Sequence, residues 1–410
     1  MIHIFTITAR NYLSLAQTLG QSVARHHPEA RFSICVADGL DGVSMSYVHR
    51  GHQLLDAREV LPEHAFEDMA FKYDVTEFCT SCKPAVFKFI FDGEPDTDLV
   101  YYLDPDTHLY SRLDPITEGT PDKTLYLAPH LLNCEVADQN PYPEYHHLWE
   151  GIFNLGFCAI RRSTSMPLVL DWWDARLREY CYADHFDGLH TDQKWMDYAP
   201  VYFRNQLEIV QHYGANVAHW NLIERPLTLT DGQYRAGPDP LIFFHFSSFD
   251  FKGNTLHKYV SQQAQEVYTS PIVTQFAEDY RQAVRANGYD TLIKVPYRFA
   301  RFDDDTPVSK PHRRLYRAFA KDTTVSRPFS KDGTFYRVLK SSALLDQSPA
   351  AAANYSKATV GNLEGKIQMV GRAMRLVVKG LGFRRYAQLI KLCAYLGRFE
   401  NHKFLLKQQR

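Results

Sequence analysis

Along the first hundred residues, short runs of β-branched and aromatic side chains alternate with segments whose apolar positions repeat every three or four residues. That pattern predicts strand-helix crossover units and a mainly parallel sheet. Residues 2–8 read as the first strand. Asn11 stands where a helix cap belongs, Leu15, Leu19 and Val23 fall on one helical face, and Pro28 ends the segment before a strand at 31–37. A helix is predicted over about residues 76–91. It leads into Leu99-Val100-Tyr101-Tyr102-Leu103, an apolar run too short for a helix and therefore a central strand. Further strands are predicted at 125–129, 153–160 and 241–246, and helices at 165–182 and 192–198.

Composition adds a boundary. The chain has 410 residues, 45% of them hydrophobic and 14% aromatic, which supplies enough buriable surface for two or three globular units and excludes a disordered chain. The net charge of -1 conceals an asymmetry, because the residues from Arg301 onward hold 22 Lys and Arg against 8 Asp and Glu. A catalytic body is therefore expected over 1–300 and a basic, mainly helical region over 301–410, beyond an acidic run at 303–305 and with a Ser/Pro/Ala stretch at 347–354. No window reaches the roughly 18 uninterrupted apolar residues of a membrane span, and the start lacks the charged leader of a signal peptide. Seven cysteines without framework spacing read as reduced thiols in the cytoplasm.

The candidate chemistry begins where the apolar strand runs into Asp104-Pro105-Asp106. Ligands of open α/β sheets sit at the carboxyl ends of strands, and two hard oxygen donors there suit Mg²⁺ or Mn²⁺ holding a diphosphate. Taken alone, an Asp-X-Asp tripeptide is equally a turn in which the side chains cap local amides. Its companions in chain order are Lys83-Pro84, Phe153-Asn154-Leu155-Gly156-Phe157, Thr191-Asp192-Gln193 and Phe244-His245-Phe246-Ser247-Ser248-Phe249-Asp250-Phe251-Lys252-Gly253.

Together these strings resemble the GT-A type nucleotide-sugar glycosyltransferases, most closely family 8 and related bacterial enzymes of surface-polysaccharide synthesis, over roughly residues 1–255. The resemblance implies a GT-A fold, Rossmann-like with a mainly parallel sheet flanked by helices. It implies metal ligation by Asp104, Asp106 and His245, and donor binding by Asn11, Lys83, Asp104, Asn154 and Lys252. Asp192 and Gln193 take the catalytic place beside the donor sugar. His245 and Lys252 match a His-Phe-X-Gly-X-X-Lys-Pro-Trp string with three departures: Ser248 replaces the glycine, the lysine lies one position later, and Gly253 replaces the proline. At the first strand the family's paired acids before Asn-Tyr give way to Ala9-Arg10, so that Arg10 is available to donor phosphate.

The activity implied is metal-dependent sugar transfer from a nucleotide sugar, a UDP-sugar foremost, to a glycan or lipid-linked acceptor, with retention. An inverting enzyme would need a base, for which Asp138, Glu144 and Asp192 are candidates. The rival readings are a sugar-nucleotide nucleotidyltransferase, which lacks its Gly-rich basic loop here, and an inactive donor-binding scaffold. Cys79-X-X-Cys82 has no partnering Cys/His doublet for zinc, and the adjacent pairs His26-His27 and His146-His147 point in different directions on a helix. No nucleic-acid partner is expected. In the basic tail Ile367, Val370, Met374, Val377 and Leu381 recur at helical spacing among Lys366, Arg372, Arg375 and Lys379. That pattern fits either a helix packed on the body or one lying on an anionic membrane, which would make the protein peripheral to the inner face.

Overall fold

A computed structural model describes residues 1–43, 48–49, 51–136, 139, 142, 144–253, 255–257, 265–345 and 363–406. The Ser/Pro/Ala stretch and Asp138 lie outside the described residues. The chain divides into two compact units, residues 1–63 with 75–297, and residues 64–74 with 298–410.

The first unit is a mixed α/β structure on a seven-stranded sheet. Its strands are β1 (Ile2–Thr8), β2 (Arg31–Val36), β3 (His52–Asp56) and β4 (Leu99–Leu103); β5 (Thr107–Leu109) leaves for a smaller sheet, and β6 (Leu125–Pro129) and β7 (Phe153–Arg161) return. Across the sheet the order is Leu207–Ile209, β6, β7, β4, β1, β2, β3, and every pairing is parallel except those of β7. All five residues of β4 are buried, which accounts for its unbroken apolar run. Phe5 packs on Phe87 and Tyr102 at centroid distances of 4.8 and 5.2 Å, joining the sheet to the helix Lys83–Gly93.

Several predicted elements take a different form. Asn11 caps no helix: it sits in a 3₁₀ turn, Arg10–Tyr12, its Oδ1 is buried without a hydrogen-bond partner among the described residues, and the helix Leu13–His26 follows directly. The helix predicted over 76–91 is two helices, Val75–Ser81 and Lys83–Gly93, with Pro84 in the first turn of the second, where its missing N–H costs nothing. After Gln193 the chain forms a 3₁₀ segment, Lys194–Tyr198, and then one α-helical turn, Ala199–Tyr202.

A second apolar cluster in this unit gathers Phe244, Phe246, Phe249, Phe276 and Tyr280. The strand Phe243–His245 feeds it by alternation: Phe244 and Phe246 turn toward the helix Pro271–Ala286, where Phe246 stacks on Tyr280 at 3.6 Å, and His245 points the opposite way.

The second unit has its own core of Phe71, Phe302, Leu315, Tyr316, Phe335 and Leu339. Within it the buried Arg313 donates to the carbonyls of Ala70, Phe71, Tyr73 and Phe299. No helix among the described residues is long and apolar enough to cross a membrane.

Buried imidazoles in the first unit make its stability depend on pH. His3 bonds Glu94 through Nδ1 at 2.9 Å and Ser33 Oγ through Nε2 at 2.8 Å, and burial lowers its pKa. Burial, then Arg25 and His26, push His108 down to about 4; burial and His49 push His52 to about 4 as well. Folded values lie below the unfolded value near 6.5, so the unfolded chain takes up protons first, and the stabilisation is complete above about pH 6.5 and lost as pH falls toward 4. The unfolding free energy from urea titrations between pH 7.5 and 4.5 is expected to fall steadily, with His108 alone accounting for a loss of about 3 kcal/mol once it is charged. A flat profile would show that these rings are solvated.

Candidate active site

Two backbone junctions build the site at the carboxyl end of β4. The amide of Asp104 donates to Gly156 O (2.8 Å), extending the β4–β7 ladder by one residue, and Thr107 N donates to Asp104 O (3.0 Å), closing a turn around Pro105. The chain then enters β5, which pairs antiparallel with Phe243–His245 so that Thr107 lies opposite His245. Phe246 N donates to Asp106 O (2.8 Å). Asp104, Asp106 and His245 thus converge from two segments 139 residues apart in their closest members, Asp106 and His245.

His245 Nε2 lies 3.2 Å from Asp106 Oδ1 and 3.6 Å from Asp104 Oδ2. Its Nδ1 is 3.1 Å from Asn154 Oδ1, which also accepts from Gly156 N and Asn216 Nδ2. An amide oxygen at Nδ1 fixes the proton there and leaves Nε2 to face the carboxylates, the orientation that a metal-ligating histidine needs. Burial alone would lower the pKa of His245, but Asp106 and then Asp104 outweigh it and hold it above the ordinary value. Gly156 keeps this arrangement open: a Cβ there would lie 2.4 Å from His245 Cε1 and 2.8 Å from Asn154 Oδ1. The set of two carboxylate oxygens and one imidazole, all within 4.8 Å of one another, fits a divalent cation.

Behind the carboxylates Lys83 is buried, not a solvated lysine on a helix surface. Its Nζ donates to Asp192 Oδ2 and to Leu155 O, both at 2.7 Å, lies 3.9 Å from Asp104 Oδ1, and sits 4.3 Å over the Tyr102 ring. Burial opposes its charge, but Asp192 and Asp104 raise its pKa, so it is a fixed cation between the two acids. The Tyr102 hydroxyl donates to Asp104 Oδ1. Gln193 Oε1 accepts from Leu155 N (3.0 Å), and its Nε2 donates to Glu150 O (3.0 Å), which anchors the start of β7.

Lys252, Ser248 and Arg10 stand apart from this cluster. Lys252 is exposed on a loop that Asp250 ties down by accepting from the amides of Lys252 and Gly253. Ser248 has φ 53°, the left-handed conformation that glycine favours. Arg10 does not offer its charge to a phosphate. Its amide and Nε donate to Asp38, and Nη1 and Nη2 donate to the carbonyls of Asp41 and Pro296. Asn11 lies beside Tyr12, whose phenol pKa is raised by burial and then by Asp106, placing Tyr12 at the metal-site end of β1.

Sequence reasoning missed a histidine layer beside Asn154. His130, just past β6, places Nε2 3.3 Å from Asn154 Nδ2 and stacks on His147 at 4.2 Å with an interplanar angle of 20°. With Glu150 these form a second close group of ligand types. The signal was out of reach because each histidine comes from a different element.

No protein-family model matches the chain. It is similar to the uncharacterized protein YfnF of Bacillus subtilis (strain 168), 28% identical over 177 residues, 43% of this chain and 58% of that protein. It is also similar to the uncharacterized protein YfnD of the same organism, 26% identical over 177 residues, 42% of this chain and 54% of that protein. The chain thus spans between half and three fifths of the length of these curated relatives. Among solved structures, that of the galactosyltransferase LgtC in complex with donor and acceptor sugar analogs superposes with a TM-score of 0.39 and 16% identity, over 72% of this chain and 98% of that one.

Proposed function

We propose that this chain is a metal-dependent GT-A glycosyltransferase that moves a sugar from a nucleotide sugar, a UDP-sugar foremost, to a glycan or lipid-linked acceptor in cell-surface polysaccharide synthesis. The observation that carries the reading is His245: Asn154 orients it and Gly156 clears space for it, so that Nε2 faces both carboxylates of the Asp104-Pro105-Asp106 turn. Asp104, Asp106 and His245 would hold Mn²⁺ or Mg²⁺. When bound, the cation supplies Lewis-acid stabilisation of the departing diphosphate, worth several kcal/mol.

The chain's own groups do the rest. Lys83 and the Tyr102 hydroxyl hold Asp104 in its ligating orientation. Asn154 fixes the tautomer of His245, and Gln193 fixes Asn154 and Leu155 beside it. Burial raises the pKa of Asp192, but the Lys83 ammonium bonded to it opposes that rise, and the paired carboxylate would support the positive charge that grows on the sugar carbon. Retention suits these surroundings: of the two base candidates among the described residues, Asp192 is already bonded to Lys83, and Glu144 is exposed at the start of its helix. In a retaining reaction the departing phosphate itself accepts the acceptor's proton, so no protein base is required. The enzyme would work in the cytoplasm, peripheral to the inner face of the membrane.

A panel of nucleotide sugars incubated with protein and Mn²⁺ tests this reading. One or a few donors are expected to raise the melting temperature and to be slowly hydrolysed to nucleoside diphosphate, and EDTA should abolish both effects. Release of pyrophosphate from a nucleoside triphosphate and sugar phosphate would favour the nucleotidyltransferase. Binding without any hydrolysis or transfer would favour the scaffold.

A further inference from the structure

The sequence predicts a basic, mainly helical region near the C-terminus, and the structure shows a break within its long helix. The helix Leu363–Leu396 is interrupted at Gly382, whose φ 75° and ψ 157° are closed to ordinary side chains. The residues on either side of the break are apolar and project into solvent: Leu381 is 43% exposed and Phe383 75% exposed. Around them stand Lys379, Arg384 and Arg385, all exposed and without a carboxylate partner among the described residues. From Gly365 to Leu396 the chain has seven basic residues and no acid.

An exposed aromatic and an exposed leucine at a helix break, collared by unneutralised cations, need a partner that is apolar a few ångström below a negatively charged surface. A protein groove would have to present both at once. An anionic bilayer does so everywhere, with phosphate-bearing headgroups over hydrocarbon. Before the break, Ile367, Val370, Met374, Val377 and Leu381 share one helical face, with Arg372, Arg375 and Lys379 on the opposite side, so the helix can lie along the surface with its tip inserted. Met369 and Leu376 are also exposed and fall outside that stripe.

We infer that the break at Gly382 is a membrane-inserting tip, with Leu381 and Phe383 entering the headgroup boundary of an anionic bilayer, Arg384 and Arg385 contacting its phosphates, and Lys379 adding positive charge from the other side of the helix. This deepens the peripheral-membrane part of the proposed function and rests on that reading for its purpose. Its physical test needs no transfer reaction, so failure of either is seen separately.

The full-length protein is mixed with phosphatidylcholine vesicles carrying about 30% phosphatidylserine, and with pure phosphatidylcholine vesicles, at low and high salt. Wild type is expected to sediment with the anionic vesicles at low salt and to be released by salt. Each basic residue near an anionic surface contributes roughly fivefold, so Lys379→Gln/Arg384→Gln/Arg385→Gln should weaken binding about a hundredfold. Leu381→Ser/Phe383→Ser should abolish stable binding with its far-ultraviolet spectrum unchanged, as befits exposed positions. In Phe383→Trp, emission above that of the five native tryptophans should shift to the blue on anionic vesicles and be quenched by brominated lipid. Equal binding of wild type and triple variant, or no binding by wild type, would overturn the inference. Charge-dependent binding with no emission shift in Phe383→Trp would overturn insertion. Loss of self-association in Phe383→Ser, without vesicle binding by wild type, would assign the tip to a second copy of the chain. Retention on RNA but not on vesicles would assign it to nucleic acid.

Discussion

Asp106→Ala is expected to lower sugar transfer and donor hydrolysis by at least a thousandfold while leaving the melting temperature within about two degrees of wild type. The side chain is a strand-end carboxylate that meets His245 at 3.2 Å, and it is not part of the apolar core. Its removal takes away a hard ligand from the set that would neutralise the leaving diphosphate, a contribution of several kcal/mol. It takes little from the fold, since the turn is held by the backbone bonds of Asp104, Thr107 and Phe246. Excess EDTA should reproduce the loss in wild type. Turnover within threefold of wild type in Asp106→Ala would remove the metal site from the account.

Lys83→Met should instead damage both activity and stability. Nζ is the partner of Asp192 and of the Leu155 carbonyl, and both acid and base are nearly inaccessible, at 2% and 1% side-chain exposure. Breaking a buried pair leaves the second charge uncompensated, which costs about 3–5 kcal/mol, whereas removing both charges costs much less. The double variant Lys83→Met/Asp192→Asn is therefore expected to recover most of the lost stability in urea titrations, yet to remain impaired in transfer because Asp104 has lost its fixed cation. If Lys83→Met is as stable as wild type, the pair is solvated and its place in the site is wrong. The two variants separate roles: Asp106 affects function alone, and Lys83 affects function through the scaffold that holds it.

The contrast also marks what the sequence could reveal. Asp104-Pro105-Asp106 stood out because strand and turn are adjacent in the chain, but only its companion strings and the family resemblance set it apart from a capping turn. His245 was singled out only by the resemblance of its string to a family motif, and it is the strand alternation of Phe244, His245 and Phe246 in the structure that turns the ring away from the apolar cluster. What could not be read were pairings across long separations. Nothing in the neighbourhood of Lys83 signals Asp192, and nothing around His130 signals His147. Arg10 looked available for phosphate because its partner Asp38 and the carbonyls of Asp41 and Pro296 come from other loops. The break at Gly382 was within reach, since glycines at 380 and 382 weaken a helix, but a glycine in a helical pattern announces only a tolerance and not the conformation it takes. The helix Pro271–Ala286 was not predicted, although Val273, Phe276, Ala277, Tyr280 and Val284 repeat at three and four and are all buried.

The most direct test is a titration with Mn²⁺ followed by electron paramagnetic resonance, with UDP present, in wild type, Asp106→Ala and His245→Ala. Wild type should bind one ion per chain, binding in Asp106→Ala should be lost, and His245→Ala should weaken it at least tenfold by removing the one nitrogen ligand. Undiminished Mn²⁺ binding in both variants would contradict the account, because the ion would then reside elsewhere and the convergence of Asp104, Asp106 and His245 would be structural only.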